Sequence, residues 1–165
     1  MAQFPSLDAK MTALHNIRRY RLADYQGVLS FLNSTLTEMG YTFVPDGKDS
    51  DVRDLGQVYI NNRGSFHVID VQGEIRGCVG VRKFSDEIAE LKRLYLAREC
   101  RGLGLGRALC LNAIEDARGF GYKFLRLDTT AKSQAALALF KKLGFYEIAR
   151  YNANPLAGIF MEKTL

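Results

Sequence analysis

The chain has 165 residues, 47% of them hydrophobic and 25% charged, with a formal net charge of +5. That composition fits one globular domain, 1–165, able to bury a single core, and it excludes a largely disordered chain. The basic balance favours anionic partners, but Lys and Arg are spread along the chain with acids between them, which argues against nucleic acid. No apolar run approaches the roughly 20 residues of a membrane span, and no basic-then-apolar leader opens the sequence. Cys78, Cys100 and Cys110 are odd in number and contain no C-x-x-C pair, so neither a disulfide framework nor a zinc knuckle is expected. That usage fits a reducing, cytoplasmic compartment, and no metal is called for.

Residues 1–13 read as a loose start. The alternation in NIRRYRLAD predicts a short strand over 16–24, after which Asp24 is placed to cap a helix running to Gly40. Pro45 and Asp46-Gly47 mark 41–50 as a loop. Val52, Leu55, Val58 and Tyr59 recur at helical spacing and predict a second helix over 51–64, closed by Gly64. Two strands, 65–71 and 74–84, flank Gln72-Gly73, and a third, 87–97, follows a turn at Ser85-Asp86. These form a three-stranded antiparallel meander. A helix over 105–118 gathers Leu109, Cys110, Ala113, Ile114 and Ala117 on one face. A strand over 123–129 comes next, then a helix over 133–145 with Ala136, Leu139, Phe140 and Leu143 inward and Gly144 as its stop. Strands at 146–152 and 158–163 end the chain. This order predicts an α/β (α+β) domain, a mixed sheet with helices on its faces.

Gly102, Gly104 and Gly106 stand between Arg101 and Arg107, directly ahead of the 105–118 helix. Glycines so closely spaced are entropically costly and suit a tight turn or a close backbone approach. The first N–H groups of a helix have no intrahelical partner, and the helix dipole adds positive charge there, so the loop reads as an anion site, usually for phosphate. A P-loop is excluded because no Lys-Ser or Lys-Thr follows the glycines. A dinucleotide fingerprint is excluded because its last position falls on Arg107 or Leu109. The strand before the loop also belongs to a meander rather than to a βαβ unit.

The remaining pattern is R-x-x-G-x-G, at Arg101, Gly104 and Gly106. It resembles the pyrophosphate loop of the GNAT superfamily of N-acetyltransferases. The likeness extends to 89–129, similar to that family's core strand, loop, helix and strand, and to AALALFKKLGF, similar to its next helix with the terminal Gly-Phe. It is specific over 75–165 and thin over 1–74. The resemblance implies a mixed, mostly antiparallel sheet with helices on both faces. It also implies acetyl-CoA as co-substrate and direct acetyl transfer to a primary amine in a ternary complex. Dimerisation is common in that family, and nothing in this sequence decides whether the chain forms a homodimer.

The same resemblance distributes roles. Backbone groups near Leu94, Tyr95 and Leu96 would contact the pantetheine arm and acetyl group, one N–H helping to polarise the thioester carbonyl. Amides from Arg101 through Gly102, Leu103, Gly104, Leu105 and Gly106 to Arg107 would hold the pyrophosphate, with the Leu103 and Leu105 side chains packing. Glu90 matches the strand glutamate that many members use as base, often through water; its other readings are orienting the acceptor or pairing with a cation. Where the family commonly has Asn and, seven residues later, Tyr beside the pantetheine, this chain has Ser133 and Phe140. Phenylalanine has no proton for the departing thiolate. The open alternatives are Tyr151 as general acid, Tyr146, a water, or departure of the bare thiolate. The stretch Tyr151-x-x-Asn154-Pro155 resembles one found in some small bacterial members and reads either as an acceptor-side wall or as a bulge fixed by Pro155. His67 is expected to be structural, and Cys78 and Cys110 to lie in the core. Cys100 adjoins the anion loop, an environment that can lower a thiol's pKa, but it is expected to be passive. The alternative for the whole chain is a catalytically weak GNAT-fold module that holds acyl-CoA.

Overall fold

The computed structural model describes residues 15–165; the loose start read at 1–13 lies outside the described residues. The strands are β1 (Asn16–Arg19), β2 (Ser65–Val71), β3 (Glu74–Lys83), β4 (Ile88–Leu96), β5 (Phe124–Thr129), β6 (Tyr146–Glu147) and β7 (Ile159–Thr164). They form one sheet in the order β1-β2-β3-β4-β5-β7-β6. Every pairing is antiparallel except β4 with β5. The predicted mixed, mostly antiparallel sheet and its meander are both present.

Helix α1 (Tyr25–Glu38) covers one face, and α2 (Leu105–Gly119) and α3 (Gln134–Lys142) cover the other. The apolar face predicted for α2, from Leu109 to Ala117, is buried against Val79, Val81, Leu91, Leu125 and Leu127. Leu137 and Phe140 bring α3 to the same core. On the opposite face Val28, Phe31 and Leu32 of α1 pack on Phe66, Val68 and Cys78. Each such aliphatic or aromatic side chain contributes about 1.5–3 kcal/mol on burial.

Three elements differ from the sequence reading. The second helix is broken into a 3-10 turn (Ser50–Val52) and a wide π-turn (Gly56–Ile60). Asp54 caps the Gln57 N–H at 2.8 Å, and buried Tyr59 bonds Asp51, so tertiary contacts override the helical spacing. The strand expected over 146–152 pairs only at Tyr146–Glu147. Beyond it the side chains of Asn152 and Asn154 accept the N–H groups of Asn154 and Leu156, both at 3.1 Å, and fold the segment into successive turns. The first strand stops at Arg19. Asp24, expected to cap α1, instead accepts the Arg21 N–H at 2.7 Å and pairs with Arg18.

One irregularity positions everything that follows. Strands β4 and β5 pair only from Ile88↔Phe124 to Glu90↔Arg126. Just beyond, Gly80 pairs with Lys92 but Cys78 with Tyr95, so β4 bulges, and Arg93 takes up the extra residue at φ +58°. A bulge bends its strand and ends regular pairing. The two parallel strands therefore part, leaving a wedge between 91–96 and 127–129. A 3-10 turn (Arg98–Cys100) and the glycine loop carry the chain from the end of β4 into α2.

Candidate active site

Gly102 and Gly104 have φ +75° and +78°, the left-handed region that favours glycine. Gly104 is the N-cap residue of α2 and brings no capping side chain, so the first-turn N–H groups are not closed off by one. Arg101, Gly102, Leu103, Gly104 and Arg107 are exposed, whereas Leu105 and Gly106 are half-buried. Leu105 packs on the core as expected; Leu103, 40% exposed, does not. Arg101 ties the loop in place, donating from Nε to the Leu96 carbonyl at 3.1 Å and from Nη1 to Glu38 at 3.2 Å. Cys100 is buried, and its thiol is pushed up by burial and the Glu99 charge rather than lowered by the loop, which fits a passive role.

On the α1 side of the sheet a row of directly opposed residues crosses the strands: Arg82, Glu90, Arg126, Glu162 and Tyr146. Its signs alternate. Arg82 donates twice to Glu90 Oε1, at 2.9 and 2.6 Å. Arg126 and Tyr146 donate to the two oxygens of Glu162, at 2.7 and 2.6 Å. Glu90 is 1% exposed. Its Oε2 accepts from Tyr151 Oη at 2.9 Å and from Asn152 Nδ2 at 3.5 Å. Two of the candidates, Glu90 and Tyr151, are thus in contact. Burial, then the Glu90 charge, pushes the Tyr151 phenol far above its ordinary range. Phe84 and Phe160 meet its ring edge-on at 5.3 and 5.6 Å.

Two residues further along β4 and β5, inside the wedge, stand Lys92 and Asp128. Asp128 Oδ2 accepts from Asn152 at 2.6 Å and from Asn154 at 3.3 Å, and Lys92 Nζ lies 3.6 Å from Oδ1. The bulge has its own anchor. The buried Arg93 guanidinium donates to Asp49 at 2.9 Å and through Nε to Asp51 at 3.0 Å, with a second, shorter bond to Asp51. Burial works against the Asp51 carboxylate, but the Arg93 hydrogen bonds and charge outweigh it and hold the group below its usual range. Burial likewise works against Asp49, and hydrogen bonds from Lys48 and the Val44 N–H, then from Arg93, outweigh it and hold that carboxylate low.

The other predicted residues fall as follows. Leu94, Tyr95 and Leu96 are half-buried on β4 past the bulge, beside the wedge. Ser133 is the N-cap residue of α3. Phe140 is 4% exposed and packs in the core against Phe145, with ring centroids 5.7 Å apart. Tyr146 is committed to Glu162 at the far end of the charge row. His67 is buried on β2, its imidazole pushed down by desolvation, with Nδ1 3.6 Å from Asp116. Arg82, Lys92, Asp128, Asn152 and the Arg93–Asp49–Asp51 cluster escaped the sequence reading. A signal for Arg82 was present: counting outward from the Ser85-Asp86 turn sets it opposite Glu90.

Residues 30–145 match the family model described as the Acetyltransferase (GNAT) family. The chain belongs to that family. YjgM of Escherichia coli (strain K12), an uncharacterized N-acetyltransferase, is 33% identical over 138 residues, 80% of this chain and 82% of its own. Of the seven relatives that follow it in similarity, this chain spans 32–56% of the length. Among solved structures, an acetyltransferase of the GNAT family from Staphylococcus aureus Mu50 superposes with a TM-score of 0.83 at 19% identity, over 91% of this chain and 98% of that one. A GNAT phosphinothricin acetyltransferase from Sinorhizobium meliloti in complex with AcCoA gives 0.74 at 18%, over 92% and 89%. At those identities the likeness is one of fold. The GNAT chain described here is accordingly an N-acetyltransferase, of a family whose co-substrate is acetyl-CoA. Among the described residues no helix is long and apolar enough to cross a membrane, and no three His, Cys, Asp or Glu are grouped to hold a metal ion.

Proposed function

We propose that the chain moves an acetyl group from acetyl-CoA directly to a primary amine, with both substrates bound at once in the wedge between β4 and β5. One observation carries the reading: the wedge and the glycine loop meet at the end of β4. Beyond Glu90 the edge of β4 that faces β5 has no strand partner. Such an edge offers N–H and C=O groups to an extended, amide-bearing chain, which describes a pantetheine arm. Leu94, Tyr95 and Leu96 lie on that stretch. At its end the exposed amides of 102–107 and the charges of Arg101 and Arg107 suit a pyrophosphate. The acceptor then enters over Glu90, Lys92 and Asp128.

Direct transfer is supported by the state of the cysteines. Cys78, Cys100 and Cys110 are all buried. Burial pushes Cys78 and Cys110 up to about 12, so none is a ready thiolate to carry the acetyl group. Tyr151 suits the support of Glu90 better than the role of general acid. Its Oη donates to Glu90 Oε2 at 2.9 Å, and burial and the Glu90 charge push the phenol up, so its proton is committed to the carboxylate rather than to a departing thiolate. Phe140 supplies none either, so the thiolate leaves as the anion or takes a proton shed by the acceptor nitrogen.

The test is calorimetric titration with acetyl-CoA beside ATP and NAD at one ionic strength, followed by thiol release with amines. Micromolar binding of acetyl-CoA alone, then amine-dependent release, is expected. Equal binding of ATP or NAD, or no binding, would overturn the loop assignment. Tight binding with no release from any amine would make the chain an acyl-CoA-holding module instead.

A further inference from the structure

Two carboxylates line the acceptor side of the wedge, and they are not equivalent. Glu90 is saturated: Oε1 takes two hydrogen bonds from Arg82, and Oε2 takes one each from Tyr151 and Asn152. It sits level with the last β4–β5 pair, where the sheet is still closed. Asp128 is one side-chain position further on, where the strands have parted. Its Oδ2 is committed to Asn152 and Asn154. Its Oδ1 accepts no hydrogen bond from the described residues; Lys92 Nζ, 3.6 Å away, is an ion-pair partner too distant for one. In the charge row and above it, both oxygens of Glu90, both of Glu162 and Oδ2 of Asp128 are occupied, and among the described residues Asp128 Oδ1 alone keeps its lone pairs. The Asp128 side chain is 8% exposed, so an ammonium that reaches it is largely stripped of water.

We propose that Asp128 is the carboxylate that takes the acceptor's proton, with Oδ1 as the receiving atom, and that Glu90 is a positioning residue that holds Tyr151 and Arg82. The assignment rests on the acetyl transfer proposed above. The acceptor arrives as a cationic primary ammonium, drawn to Oδ1. One N–H bond breaks and its proton passes to Oδ1. The freed nitrogen lone pair forms the C–N bond to the acetyl carbon, and the C–S electron pair leaves on sulfur. The nitrogen sheds its second proton to that sulfur or to water, and Asp128 returns its proton to solvent. No further reactant is needed. The groups facing Asp128 are Lys92 from β4, Glu90 beside it, Arg126 on its own strand, and Tyr151, Asn152 and Asn154 from the covering loop. Asn152, bonded to both carboxylates, fixes the Asp128 side chain through Oδ2 and leaves Oδ1 uncommitted.

The test compares wild type, Asp128→Asn, Asn152→Ala and Glu90→Gln. Thiol release from acetyl-CoA is read across pH 6–10 with ethanolamine, lysine and spermidine, and acetyl-CoA affinity is read by calorimetry. Asp128→Asn keeps an oxygen for Asn152 and Asn154 and loses the proton-accepting atom. Its rate should fall by about 10²-fold or more near pH 7. The loss should shrink as pH rises and the amine deprotonates in solution, with acetyl-CoA affinity within threefold of wild type. Asn152→Ala, which loosens the loop but leaves Oδ1, should lose less than tenfold, with an unchanged pH profile. If Asp128→Asn keeps more than a third of the rate, or if it and Asn152→Ala lose equal activity at every pH, Asp128 only pins the loop and the inference falls. If wild type releases thiol with none of the amines, the acetyl-transfer reading falls and takes the inference with it.

Discussion

The Arg93 cluster is the most consequential contact that no motif announces, and its loss should be measurable twice. Arg93 carries its charge into the protein, where Asp49 and Asp51 neutralise it and Tyr59 closes the second carboxylate. Replacing Arg93 with Met removes the cation, strands the buried Asp51 carboxylate and leaves Asp49 with only Lys48 and the Val44 N–H. Breaking a buried ion pair from one side costs about 3–5 kcal/mol. For a chain of this size about 2–4 °C of Tm accompanies each kcal/mol, so the variant should melt roughly 6–20 °C lower. Removing all three charges, in Asp49→Asn/Asp51→Asn/Arg93→Met, should recover at least half of that loss, because no uncompensated charge remains. Urea denaturation of wild type, the three single variants and the triple variant gives the comparison. Because Arg93 is also the residue at φ +58° in the bulge, kcat/KM should fall by about tenfold in Arg93→Met, even at temperatures where it is fully folded. A single variant destabilised by less than about 1 kcal/mol, or a triple variant no more stable than Arg93→Met, would refute the view that this cluster holds the bulge.

Three further outcomes follow from the same geometry. Gly104→Val should destabilise the fold by only about 1–2 kcal/mol, the cost of a left-handed L-residue, since a Cβ there meets nothing within 4 Å; it should nevertheless weaken acetyl-CoA binding at least tenfold in calorimetry, and unchanged affinity would remove the loop from the binding site. Glu90→Gln leaves Arg82 without its carboxylate and should cost about 2 kcal/mol in urea denaturation, while thiol release falls less than tenfold; a hundredfold loss that is steepest at low pH would return the base to Glu90. Acid should unfold the chain by a defined route. Asp24, Asp49, Asp51 and Asp70 are all held below the ordinary carboxylate range, through Arg18 for the first and last and chiefly against the pull of burial for the middle two. A depressed folded pKa gives stability that is complete above the unfolded value of about 3.9 and is lost as pH falls through the folded one. The urea midpoint should therefore decline modestly as pH falls through about 6.5, where the unfolded chain protonates His67 and the folded one resists, and drop steeply below pH 4, with a shallower steep phase in Arg93→Met. Equal slopes in the two proteins would mean that the cluster does not supply this stability.

Most of the fold was legible because it is local. The five-residue apolar face of α2, the Gln72-Gly73 and Ser85-Asp86 turns and the Gly144 stop each depend on residues a few positions apart, and each stands where the sequence put it. The misread elements fail for one shared reason. Residues 51–64 have the spacing of a helix but are bent by Asp54, by Tyr59 on Asp51 and by Arg93 from β4, which is some forty positions away. Residues 148–152 look like strand until Asn152 and Asn154 fold back on the backbone and reach across to Asp128. Side chains that answer to distant partners override local periodicity.

The same distinction divides the two halves of the site. The proposed pyrophosphate loop is built from backbone, and backbone demands show in sequence as glycines at fixed offsets, so the turn at 101–107 could be read directly. The acceptor side is built from charge. Arg82, Glu90, Arg126 and Glu162 become a row only when four strands are in register, and Asp128 differs from Glu90 only because the strands part between them. A sequence shows one strand glutamate and makes it the base. The register shows a glutamate whose every lone pair is taken and, one step into the opening, an aspartate with an oxygen to spare. Identical chemistry at the two positions is thus separated by where pairing stops. The bulge at Arg93 lies just past that point, and so in the proposed mechanism the Arg93 cluster and Asp128, far apart in sequence, act on one reaction.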